Sequence, residues 1–141
     1  MLTVHGFTID PPSDFQLEEM TVGLRQQATP GGPSTSLIMQ SKPARSGATL
    51  AELATETEAE LAQSLSGMKN LARFEMTFAD GGHGAVISYD WTTAGGEMRQ
   101  YFVLRLDGDR LCSLAITARR DAVTAASAGS LMKTIASLRL A

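Results

Sequence analysis

Cysteine is nearly missing from this 141-residue chain: Cys112 stands alone. No intramolecular disulfide can form, and nothing demands an oxidising compartment. Histidine is almost as scarce, with only His5 and His83. A metal site needs two or three ligands at strand or helix spacing with a carboxylate or thiolate nearby. Neither histidine has that company, so no metal and no cofactor is expected. Charge of one sign is also lacking: 12 basic and 15 acidic side chains leave a net charge of −3, and no basic stripe occurs. That removes the electrostatic case for nucleic acid or an anionic membrane as partner. No stretch approaches the run of about 18 apolar residues that a membrane span requires. The opening MLTVHGFTIDPP has no cationic leader and no small-residue cleavage site. The expectation is a cytoplasmic protein with no membrane insertion.

What is present is ordinary globular composition, 43% hydrophobic and 19% charged, enough for one cored domain over residues 1–141. Leu2–Ile9 alternates loosely up to Asp10-Pro11-Pro12 and predicts a first strand. Gln16–Gln27 predicts a second, with Met20, Val22 and Leu24 on one face. A turn cluster, Thr29 to Ser34, leads to a third over Thr35–Lys42. Thr49 with Glu52 three residues on matches a capping box and starts a helix that runs to about Leu65. Its buried stripe is Leu50, Leu53, Ala54, Thr57, Leu61 and Leu65, and Gly67 suits a left-handed cap. Strands Lys69–Ala79, Gly84–Thr93, Glu97–Leu106 and Arg110–Arg119 follow as a meander, joined by Asp80-Gly81-Gly82, Ala94-Gly95-Gly96 and Asp107-Gly108. Asp121 caps a last helix from Ala122 to about Leu138. The order βββ-α-ββββ-α predicts an α+β fold: a mostly antiparallel sheet of about seven strands flanked by two helices.

Catalytic patterns are missing. Ser88 and Asp90 lie inside a strand, no G-x-S-x-G elbow occurs, and Cys112 sits among apolar neighbours as a small hydrophobe. The turn Asp80 to Gly84 lacks the Lys-Ser/Thr of a phosphate loop and opens no helix. Glu52, Glu56, Glu58 and Glu60 form a solvated helix face. No catalytic residue is assigned and the chain is read as a non-enzyme. Two helices of this length cover one face of a seven-strand sheet, which leaves apolar sheet surface for a partner. Gln100 interrupts the stripe Met98, Phe102, Leu104, Leu106. Its amide either bonds internally or meets an incoming apolar segment.

The stretches LTVHGFTIDPP, TLAELATETEAELAQSLSG and AVISYDWTTAGGEMRQYFVLRLDGDRLCSLAITA, with the short last helix, carry a resemblance over nearly the whole chain. Together they resemble the DcrB-related proteins, in particular the Eag (effector-associated) chaperones of bacterial type VI secretion. The resemblance implies a Mog1/PsbP-like fold, a homodimer, and a function: shielding the hydrophobic N-terminal transmembrane segments of a secreted PAAR-type effector before export. Met98 to Phe102 matches the region of the family's groove glutamine, and Met20 to Leu24 its apolar second strand. The candidate partner-binding residues are Met20, Val22, Leu24, Leu37, Met39, Met98, Gln100 and Phe102. A carrier for a small apolar ligand and an adaptor for a folded partner remain the competing readings.

Overall fold

A computed structural model describes residues 2–4, 6–17, 19–25, 35–65 and 67–140. The elements run β1 (Leu2–Val4), β2 (Phe7–Ile9), β3 (Met20–Arg25), β4 (Ser36–Pro43), α1 (Leu50–Ser64), β5 (Lys69–Thr77), β6 (His83–Thr93), β7 (Gly96–Asp107), β8 (Arg110–Arg119) and α2 (Ala125–Ala136). His5 and the turn expected over Thr29 to Ser34 lie outside the described residues.

The α+β class is as predicted, but the sheet is organised differently. Gly6, at φ +79°, reverses the chain inside the predicted first strand. Leu2–Val4 and Phe7–Ile9 therefore pair with each other as a separate two-stranded ribbon. The main sheet has six antiparallel strands in the order β3-β4-β8-β7-β6-β5. Two-residue turns close the β6–β7 and β7–β8 hairpins: Thr93 pairs with Gly96 and Asp107 with Arg110. The second turn is thus Gly108-Asp109, one residue beyond the expected Asp107-Gly108, because Gly108 supplies the positive φ of +61°.

Thr49 caps α1 as predicted, its hydroxyl accepting from the Glu52 N–H at 3.2 Å. The Glu52 carboxylate is engaged by Arg45 at 3.4 Å. α1 ends at Ser64, and Gly67 is left-handed at φ +65°. The last helix starts later than expected. Residues 120–122 form a 3₁₀ turn. Thr124 then makes a reciprocal cap with Ser127, the Thr124 hydroxyl accepting from the Ser127 N–H and the Ser127 hydroxyl accepting from the Thr124 N–H. A hydroxyl pair of this kind satisfies two orphan amides where Asp121 alone would serve one.

The two helices do not share a face. Ala85, Leu104 and Leu111 pack with Leu53 and Ala54 of α1. Val86, Val103, Leu114 and Ile116, which point the opposite way, pack with Ile135 of α2 and with Phe78 and Tyr101. Alternate residues of β6, β7 and β8 are therefore buried on both sides, which is why β8 reads apolar on both faces. Uncovered apolar side chains stand at the two lateral ends of the sheet, on β3 and β4 at one and as Leu71 and Phe74 of β5 at the other, not over one whole face as expected.

Candidate functional site

Strands β3 and β4 form the end with more exposed apolar side chains, Met20, Val22, Leu24, Ile38 and Met39. β3 is the terminal strand, paired only to β4 among the described residues, so its outer edge has no strand beside it. Leu24 opposes Leu37 and Val22 opposes Met39, and Met20 continues the same face. Met20, Val22, Leu24 and Met39 are exposed; Leu24 keeps 60% of its surface in solvent. Leu37 is half-buried because it leans on the cluster under α2. An exposed edge strand with contiguous apolar side chains is a surface that pairs or aggregates unless something covers it.

Beside this patch runs an open groove of about 390 Å³. Leu37, Met39 and Leu114 form its strand side, and Thr134 with residues 137–140 forms the other. Leu138 and Leu140 therefore belong to the surface, although no sequence pattern places the segment after α2 against β4.

The eight candidate residues divide between the two faces. The β4–β8 register sets Leu37 opposite Ile116 and Met39 opposite Leu114. The β7–β8 register sets Gln100 opposite Thr117 and Phe102 opposite Ala115. Successive side chains alternate, so Met20, Val22, Leu24, Leu37 and Met39 share the α2 face, whereas Met98, Gln100 and Phe102 lie on the α1 face. They do not form a single stripe.

Gln100 has partners within the sheet. The Tyr89 hydroxyl donates to Gln100 Oε1, and Gln100 Nε2 donates to Thr117 Oγ1 at 3.0 Å. Tyr89 is fully buried, and burial pushes its hydroxyl pKa up to about 12, so it stays a donor. Gln100→Leu is expected to lower stability by about 1–3 kcal/mol, since it leaves the buried Tyr89 hydroxyl without an acceptor. Thermal melts of the variant check this; a protein as stable as wild type would show that the Tyr89–Gln100–Thr117 chain is not needed.

Two ion clusters escaped the sequence reading. Asp90 is 1% exposed and accepts from Arg99 at 2.6 and 3.0 Å and from Asn70 at 2.7 Å, with Arg120 at 3.3 Å. Burial pushes this carboxyl up, but the bonds from Arg99 and Asn70 and the charges of Arg99 and Arg120 outweigh it and hold the pKa below its usual value. Arg105, 3% exposed, binds Asp80 at 2.8 and 2.9 Å and Asp107 at 2.6 Å. The Arg105 bonds, with the Gly82 and Leu140 N–H groups, hold the Asp80 carboxyl well below the usual carboxylate range. No group of three His, Cys, Asp or Glu side chains that could hold a metal occurs among the described residues. Cys112 is half-buried, and burial raises its thiol pKa.

Two solved structures share this arrangement of strands and helices. A Pseudomonas aeruginosa protein of unknown function, PA94, described as a putative regulator, superposes with a TM-score of 0.76 at 13% identity, covering 99% of this chain and 95% of its own. Cyanobacterial PsbP (CyanoP) from Synechocystis superposes at 0.52 and 13% identity, covering 91% of this chain and 95% of its own. The fold is PsbP-like. No protein-family model matches the chain, and no curated protein matches it. No helix among the described residues is long and apolar enough to cross a membrane.

Proposed function

We propose that this PsbP-like domain is a binding module that shields an apolar segment of another polypeptide. In line with the resemblance to the Eag chaperones, the client is the hydrophobic N-terminal segment of a type VI secretion effector, held in the cytoplasm before export. The observation that carries the reading is the outer sheet end, where Met20, Val22, Leu24 and Met39 stand exposed on one face beside the apolar groove. The openness of that groove favours a polypeptide over a small lipid, which needs most of its surface enclosed. Methionines at Met20 and Met39 suit a surface that accepts varied side chains. Two copies of the chain together cover more of this apolar surface than one, and the working unit is a homodimer.

Val22→Asp and Leu24→Asp test the reading. Both side chains are exposed, so each variant is expected to melt close to wild type. Each also sets a charge on a surface that must dock dry, and client affinity should fall about tenfold or more. Co-purification from the native host with mass spectrometry identifies the client, and pull-downs of the two variants then measure its loss. Light scattering on the same samples reports the dimer. A client retained in full by both variants would remove β3 from the binding surface.

A further inference from the structure

We propose that segment 137–140 is a fixed wall of the groove, and that Arg105 and Asp80 are the residues that position it. The proposal rests on reading the groove as a docking surface. α2 ends at Ala136, and the chain beyond it is irregular. It is nonetheless tied to the fold: the Ala79 N–H donates to Ala136 O at the helix end at 2.8 Å, the Leu138 N–H donates to Ile135 O at 3.1 Å, Arg105 Nη1 donates to Leu138 O at 3.0 Å, and the Leu140 N–H donates to Asp80 Oδ2 at 3.3 Å. The guanidinium that binds Leu138 O is itself confined. It lies over the Phe78 ring at 4.9 Å from the centroid. A Cβ added at Gly82 would come within 2.6 Å of its central carbon, so any larger residue there would push the guanidinium out of place.

Stability alone does not account for this cluster. Apolar side chains of similar volume often serve a core as well as a buried ion pair does. No apolar side chain can grip a carbonyl two residues past a helix while its acidic partner grips an amide two residues further on. The ion cluster thus fixes backbone that has no ladder of its own, and that backbone presents Leu138 and Leu140 to the groove. A wall already in place need not be ordered when the client arrives, which spares affinity.

The test compares Arg105→Gln and the milder Asp80→Asn with Arg99→Gln, which cuts the other ion cluster at the far end of the same strands. Hydrogen exchange at the Leu138 and Leu140 amides, which donate to Ile135 O and Asp80 Oδ2, follows the wall. Cys112 is paired in register with Ser41 and Arg105, and its alkylation rate gives a second local signal. The binding probe is a synthetic Leu/Ala helix with lysines at both ends. Exchange and alkylation are expected to quicken in the first two variants only. Their probe affinity should fall in proportion to the fraction of molecules with the wall in place, about tenfold, while Arg99→Gln binds like wild type. Amides that stay protected in Asp80→Asn and Arg105→Gln would overturn the positioning role. A loosened wall with unchanged probe affinity would overturn its part in binding and leave the groove as a docking surface. A wild-type protein that ignores the probe while its wall responds as expected would remove the docking reading, and the wall's function with it.

Discussion

Gly84→Val should destabilise the protein by about 3 kcal/mol, the upper end of what overpacking a filled interior costs. Gly84 is buried in β6, paired with Arg105 on one side and Met76 on the other. A Cβ built there lies 2.5 Å from Phe78 Cε2 and 2.9 Å from the Leu104 carbonyl oxygen. The ring could turn only by disturbing the cluster under α2, and the carbonyl belongs to the sheet ladder. Removing glycine from a strand returns about 0.5–1 kcal/mol of backbone entropy, which is too small to offset the clash. Gly84→Ala should show the same sign at about half the size. Chemical denaturation at constant m-value is the measurement, and a Gly84→Ala protein at least as stable as wild type would show that Phe78 yields freely.

Asp90→Asn is the second large effect. The variant keeps the shape but replaces an acceptor with a donor that faces Arg99, Asn70 and Arg120. Breaking a fully buried ion pair costs about 3–5 kcal/mol. Here the Arg99 and Arg120 side chains keep 21% and 40% of their surface in water, so the stranded cations are partly hydrated and about 2–3 kcal/mol is expected. The pH dependence has a definite sign. The pKa of Asp90 is lower folded than unfolded, so its contribution is complete above the ordinary carboxylate value of about 3.9 and is lost as pH falls through the folded value. The gap between wild type and Asp90→Asn should therefore be widest near neutral pH and close in acid. Asp80, also depressed, adds to acid lability in both proteins and leaves the difference unchanged. A gap constant across that range would mean that folding does not shift the Asp90 pKa.

Local signals in the sequence located most elements and missed how they are put together. The Ala94-Gly95 turn alone dictates that Asp90 opposes Arg99 and Tyr89 opposes Gln100; reading each strand separately hid both pairs. Likewise, apolar residues on both sides of β8 already imply two covered faces, hence one helix on each. The side on which Met20, Val22 and Leu24 emerge was not legible. It depends on the pairing of Ser36 with Thr117, between segments far apart in the chain, and no turn specifies it. The groove depends on the same pairing, and also on hydrogen bonds made by backbone at residues 138 and 140, for which sequence carries no pattern.

That β4–β8 pairing also governs when the surface can exist. Every other neighbouring pair in the six-stranded sheet joins strands consecutive in the chain, and such hairpins close quickly. β4 must wait for β8. During synthesis the ribosome delivers β3 and β4 early, yet they have nothing to join until residue 119 and its neighbours have emerged and folded back. If the proposed function holds, a truncated or half-made chain has no client surface to offer, and binding competence arrives only after the β5–β8 meander is complete.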